Sequence, residues 1–120
     1  MPSAQLRGVT VDCDDPESLS RFYQKLTGMT VGFRSDEYVA LTGGAGPAIG
    51  FQRVENYRAP QWPGQQIPQQ LHLDFAVEDL GAAVELMLSL GATRPQHQPG
   101  GDRYRVLLDP AGHPFCLQEP

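Results

Sequence analysis

Two aspartates 64 residues apart, Asp15 and Asp79, each end an alternating stretch and open an amphipathic one. Both read as helix N-caps, where a short side-chain oxygen accepts a free backbone N–H. Pro16 suits a first helical position, and Glu17 adds negative charge to the first turn. Leu19, Phe22, Tyr23 and Leu26 then form one apolar stripe. Leu80, Ala83, Val84, Met87 and Leu88 form a second, and Gly28 and Gly91 stand where left-handed C-terminal caps belong. A strand-then-helix start that occurs twice argues against an all-helical fold. It points to an internal duplication of a strand–helix–three-strand unit.

The remaining segments fit that plan. Leu6–Asp12, Met29–Arg34, Tyr38–Thr42 and Ala48–Val54 read as the strands of a first repeat, residues 1–55. The glycines Gly43, Gly44 and Gly46 serve as a hairpin connection, because no strand-to-helix context makes them a phosphate loop. Pro60, Pro63, Gly64 and Pro68 make residues 56–68 a linker that is neither helix nor central strand. Tyr57 and Trp62 within it either cover a core edge or overhang a pocket. The second repeat, residues 69–120, takes its strands from Gln69–Asp79, Thr93–Gln98, Tyr104–Leu108 and Pro114–Glu119. Asp109-Pro110-Ala111-Gly112 turns the chain between the last two. Ile49–Arg53 aligns on Phe115–Glu119, 66 residues further on.

A chain of 120 residues forms one domain, and 40% hydrophobic against 19% charged residues is an ordinary globular balance. A net charge of −5 argues against nucleic acid or an anionic membrane as partner. No apolar run has transmembrane length and no signal-peptide layout opens the chain, so a cytoplasmic location is expected. Cys13 and Cys116 lack zinc-ligand or redox-pair spacing and read as small buried hydrophobes.

The strand in Gln69–Asp79 sorts its side chains sharply. Leu71, Leu73, Phe75 and Val77 share one face, while His72, Asp74 and Ala76 share the other. An imidazole beside a carboxylate is the equipment of an acid–base, ligand-binding or metal site. Gly8 aligns with His72 in the first repeat. His97 and His113 fall at a strand end and a turn, where surface placement is expected.

QLHLDFAVEDLGAAVELMLSLGA, the closing DPAGHPFCLQE and VTVDCDDPESLSRFYQKLTGM together resemble the vicinal oxygen chelate superfamily: glyoxalase I, extradiol dioxygenases, fosfomycin-resistance proteins and bleomycin-binding proteins. FQRVENY and the WP-to-LHLDF layout resemble its glyoxalase-like branch, common in bacterial proteins. The resemblance implies an α+β fold of two tandem βαβββ modules whose curved mixed sheets surround a cleft, and a homodimer. It places the family's metal positions at Gly8, Arg53, His72 and Glu119. Glycine offers no ligand and arginine repels a divalent ion, so His72 and Glu119 remain as the metal-ligand and catalytic candidates, with Asp12 and Asp74 on the same parity. The first expectation is therefore a small-molecule binder with an apolar cleft and a degenerate metal site, of the bleomycin-binding, resistance or sequestration type, with no cofactor. Its substrate-binding candidates are Arg53, Asp74, Phe51, Trp62, Phe115 and Leu117, with Ile49 on the same parity, and Arg53 either pairs with Glu119 or Asp74 or binds a carboxylate or phosphate of the ligand. The alternative is a metal-dependent lyase, isomerase or dioxygenase using zinc, manganese, nickel or iron at His72 and Glu119.

Overall fold

The computed structural model describes residues 3–120, in two compact units that divide between Tyr57 and Arg58. The first runs β1 (Gly8–Cys13), α1 (Pro16–Thr27), β2 (Thr30–Arg34), β3 (Tyr38–Thr42) and β4 (Ala48–Arg53). Its sheet has the order β1-β4-β3-β2, with β1 parallel to β4 and the other pairs antiparallel. Helix α1 starts and stops as its sequence dictates. The Asp15 carboxylate accepts the Ser18 N–H at 3.1 Å, and Gly28 takes a left-handed φ of 71° that a side chain would resist. Leu19, Phe22 and Tyr23 are buried from α1, and Val39, Leu41 and Phe51 are buried from the sheet. The Tyr23 and Phe51 rings stack with centroids 5.5 Å apart. Arg34 clamps both carboxylate oxygens of Glu17 at 2.9 and 2.8 Å, tying β2 to the first turn of α1 and raising the guanidinium pKa further through hydrogen bonding and charge.

The second unit runs β5 (Leu73–Ala76), α2 (Leu80–Ser89), β6 (Tyr104–Leu108) and β7 (Pro114–Gln118). Here the sheet order is β5-β7-β6, again with a parallel pair, β5 and β7, and an antiparallel neighbour. The Asp79 carboxylate caps α2 by accepting the Ala82 N–H at 3.0 Å. Val84 and Met87 are the buried positions of α2, and Leu107, Phe115 and Leu117 have no exposed surface in the strands. The β6–β7 turn is built on Asp109, which is 4% exposed. Its carboxylate accepts the Ala111 and His113 N–H groups at 2.9 and 3.0 Å, and Gly112 supplies the φ of 90° that closes the turn.

Two sequence expectations change. The strand expected around Gln69–Asp79 shrinks to four residues, leaving His72 just ahead of β5. The register Leu73↔Phe115 sets His72 opposite Pro114, whose nitrogen has no hydrogen to offer a ladder. Thr93–Gln98 is not a strand either: Thr93 makes one isolated bridge to Leu108, and Pro95 follows. Further along, the Gln98 side chain does the work of a neighbouring strand. Its Oε1 accepts the Val106 N–H at 2.9 Å and its Nε2 donates to the Val106 carbonyl at 2.8 Å. One amide thus satisfies both outward backbone groups of the β6 edge residue. Gln98→Ala should destabilise the protein by about 1–3 kcal/mol in urea unfolding. A change below about 0.5 kcal/mol would mean that water replaces the amide without loss.

Candidate functional site

The alternation of β5 and β7 decides which side chains meet. In the parallel pair Asp74 lies opposite Cys116, and across β7 Cys116 lies opposite Val106 of β6. One row further on, Ala76, Gln118 and Tyr104 stand side by side. Residues directly opposite share a face, so Asp74, Cys116, Val106, Gln118 and Tyr104 all point to one side. That side carries a pocket of about 190 Å³, and His72, Trp62, Gln69, Pro99 and Pro114 complete its lining. Among the described residues its lining includes no lysine or arginine.

Trp62, Pro99, Val106 and Pro114 give the pocket apolar wall, and three of its polar groups lie close together. His72 Nε2 lies 3.2 Å from Asp74 Oδ1, with the two side chains 41% and 59% exposed. Cys116, only 8% exposed, brings its thiol to the same place. A donor atom from each of His72, Asp74 and Cys116 lies within 4.8 Å of the other two. Burial, then the negative charge of Asp74 and a hydrogen bond to it, push the Cys116 thiol up to about 11. In the metal-free protein it is therefore a neutral thiol at neutral pH. Gln69 Oε1 is buried without a hydrogen-bond partner among the described residues. Such an acceptor invites a donor from a ligand or an ordered water. Trp62, after which the chain makes a cis bond to Pro63, tilts against the His97 ring at 5.4 Å. Tyr57 lies at the boundary of the units and does not line this pocket.

Of the residues singled out from sequence, the pocket gathers His72, Asp74 and Trp62. Glu119 stands elsewhere. It follows Phe115 and Leu117 in parity, and its Oε2 accepts the Leu80 N–H at 3.0 Å, a second carboxylate at the start of α2. Phe115 and Leu117 are wholly buried on the sheet face opposite Cys116, with Phe115 edge-on to Phe75 at 6.2 Å. Phe51 is wholly buried and Ile49 8% exposed, so the expected aromatic and aliphatic lining is core in both units. Arg53, in the first unit, pairs with Glu37 at 3.8 Å. The residue that sequence reasoning set aside is Cys116. The alignment of Ile49–Arg53 on Phe115–Glu119 already matched it to Gly50 and not to the expected ligand position.

The first unit explains why that match matters. Thr10 lies opposite Gly50 as Asp74 lies opposite Cys116. A Cβ at Gly50 would collide with the Tyr38 hydroxyl, which contacts Thr10 Oγ1 at 3.4 Å. A Tyr38–Thr10 pair thus fills the place where the second unit presents its three donors. Gly8, which matches His72, has the Ala48 backbone packed against it.

A helix laid on a mixed sheet, built twice with a parallel first-to-last strand pair, is the architecture of the vicinal oxygen chelate class. Residues 8–118 match the glyoxalase-like domain family, and the chain belongs to that family. Solved structures agree at the level of fold. A glyoxalase/bleomycin resistance protein/dioxygenase family enzyme from Burkholderia phytofirmans PsJN is 21% identical, with 97% of this chain and 98% of that one covered at a TM-score of 0.74. The fosfomycin resistance protein FosX from Mesorhizobium loti is 19% identical over 100% and 94% of the two chains, TM-score 0.73. The bleomycin-binding protein of Streptomyces verticillus, solved with copper(II)-bleomycin, is 14% identical over 100% and 99%, TM-score 0.63. A search of curated proteins returns no significant match. No helix among the described residues is long and apolar enough to cross a membrane.

Proposed function

We propose that this protein binds a small organic molecule in the pocket of its second unit and acts by sequestration, in the manner of a resistance protein. The observation that carries the reading is the make-up of that pocket. Trp62, Pro99, Val106 and Pro114 supply apolar wall, while Gln69, His72, Asp74 and Gln118 supply a few polar groups. This combination is what fixes and orients small ligands. A volume of about 190 Å³ suits one ring system of a ligand better than a whole drug-sized molecule. With Asp74 in its wall and, among the described residues, no lysine or arginine in its lining, the pocket favours a ring bearing N–H donors or a positive charge. The likeness to bleomycin-binding and fosfomycin-resistance structures supports a resistance role. A homodimer and a cytoplasmic location complete the proposal, and sedimentation at micromolar protein tests the first.

Trp62 is the only tryptophan, so its fluorescence reports on the pocket wall. Titration with bleomycin-type glycopeptides and with cationic heteroaromatic antibiotics should give a saturable change and a matching rise in melting temperature. Tyr104→Ala should weaken the response at least about tenfold, as expected for losing a ring that supplies about 1.4 kcal/mol or more. If fluorescence and melting stay flat across the panel at millimolar ligand, sequestration is wrong.

A second reading has one observation in its favour. The grouping of His72, Asp74 and Cys116 is a potential ligand set for a metal-dependent lyase, isomerase or dioxygenase. In it His72 and the two anionic donors would hold the ion, which would polarise a substrate oxygen, while Trp62 and Tyr104 would position the substrate. Glu119, engaged at the start of α2, would take no part.

A further inference from the structure

We propose that Gln69 and Asp74 together make the pocket of the second unit select a planar amidine-type cation, a ring whose positive charge is spread over coplanar N–H donors. The inference rests on the pocket-binding reading and narrows it. Charge and N–H donors are required at once, and Gln69 is the residue that sets the preference.

The carboxylate comes first. Asp74 is the one carboxylate in the lining, and among the described residues no lysine or arginine accompanies it. Its neighbours hold it in place: His72 Nε2 stands 3.2 Å from Oδ1, and the Cys116 thiol hydrogen-bonds the same group. An ionised carboxylate offers about four acceptor sites, so positions stay open on a side chain that is 59% exposed. An anion meets repulsion here and a cation meets a partner.

Gln69 adds a requirement that charge alone does not meet. Its Oε1 is buried without a hydrogen-bond partner among the described residues, and its side chain lines the same pocket. A molecule that fills the pocket displaces any water serving this oxygen, and must return a donor or lose affinity. A quaternary ammonium answers Asp74 but leaves Gln69 Oε1 unmet. A neutral amide answers Gln69 but leaves Asp74 desolvated without a counter-charge. An amidinium answers both, because coplanar N–H groups carry its charge, as in the guanidinium fork of arginine.

The aromatic wall suits the same shape. Trp62 and Tyr104 both line the pocket, and a cation gains from aromatic rings at close range. Tyr104 is fixed there. A Cβ on Gly100 would strike its ring, so the turn after Pro99 packs directly against it. Gln98 pins the entry to that turn onto Val106 through two hydrogen bonds. A wall built in advance loses little freedom when a ligand arrives. A volume of about 190 Å³ admits one ring with its amidine group.

Calorimetric titration of the full-length protein at neutral pH with benzamidine, benzamide, trimethylphenylammonium and benzoate tests the selection. Benzamidine should bind with a Kd below about 1 mM, and each of the others at least about tenfold more weakly. Asp74→Asn should shrink the preference for benzamidine over benzamide to less than about threefold. Gln69→Leu should weaken benzamidine at least about fivefold. Gln69→Glu, which keeps an acceptor at the same length, should hold benzamidine within about twofold of native or tighten it. Circular dichroism confirms that each variant is folded. Equal losses in folded Gln69→Leu and Gln69→Glu, or tighter binding of another probe than of benzamidine, would overturn the inference. If the antibiotic panel changes Trp62 fluorescence while benzamidine does not bind, this selection is wrong and sequestration stands. If nothing in either set binds, the pocket reading falls and this inference falls with it.

Discussion

Phe51→Ala will lower the stability of the protein by about 3–5 kcal/mol, the cost of emptying a fully packed aromatic site. Phe51 has no exposed surface, stacks on Tyr23 at 5.5 Å, and pairs in register with Val39 of β3 and Val11 of β1. Deleting its ring removes transfer energy and leaves a cavity that helix α1 and three strands cannot jointly collapse. Urea unfolding followed by circular dichroism measures the loss directly. Phe115→Ala in the second unit should behave alike, since Phe115 is equally buried and packs edge-on against Phe75. The conservative replacements Phe51→Leu and Phe115→Leu separate packing from recognition. Both should cost less stability, and both should leave the Trp62 ligand response within about twofold of native, which is under about 0.5 kcal/mol. A folded leucine variant that loses ligand affinity while keeping its stability would return these phenylalanines to the binding site.

That test arises because alternation was legible in the sequence while the identity of the two faces was not. The caps at Asp15 and Asp79, the stripe through Leu19, Phe22 and Tyr23, and the Asp109 turn follow from local rules, and the structure shows each in place. The opposition of Leu73 and Phe75 to His72 and Asp74 also follows from a period of two. What alternation does not say is which residues of a distant strand join which face. That is fixed by the register Asp74↔Cys116, which depends on where β7 leaves the Asp109 turn. A shift of one residue exchanges the whole set. Reading Phe115, Leu117 and Glu119 onto the His72 side was such a shift, and it hid Cys116. The repeat alignment held the missing signal, because it set Cys116 against Gly50, a position where a side chain would have to displace the Tyr38 hydroxyl. Thr93–Gln98 failed for another reason. A side-chain amide can imitate a strand's two hydrogen bonds, and nothing in local propensity distinguishes Gln98 doing so from a residue that pairs through its backbone.

In chelator-treated protein, Cys116 will react with iodoacetamide at neutral pH about 100-fold more slowly than an ordinary thiol, before any allowance for its burial. The reactive species is the thiolate, and raising the pKa from 9.0 to about 11 cuts its population at pH 7–8 by about two decades. The rate should climb tenfold per pH unit until about 11, where an unperturbed thiol levels off near 9. Burial is the leading cause and Asp74 the second, so Asp74→Asn should speed alkylation while leaving it slower than in the unfolded chain. Peptide-resolved mass spectrometry distinguishes Cys116 from Cys13, which is 0% exposed and should not react without unfolding. The same shift has a stability consequence of definite sign. The folded protein holds the Cys116 proton more tightly than the unfolded chain does. That contribution to stability is complete below about pH 9 and is lost as pH rises through about 11. Urea midpoints measured across that window should fall, and should fall less in Cys116→Ala. A bound zinc-class ion would reverse the chemistry, because coordination takes the proton off the thiol and then shields the sulfur. Alkylation that is fast at neutral pH in the metal-free protein would show that Asp74 and burial do not hold the proton on Cys116.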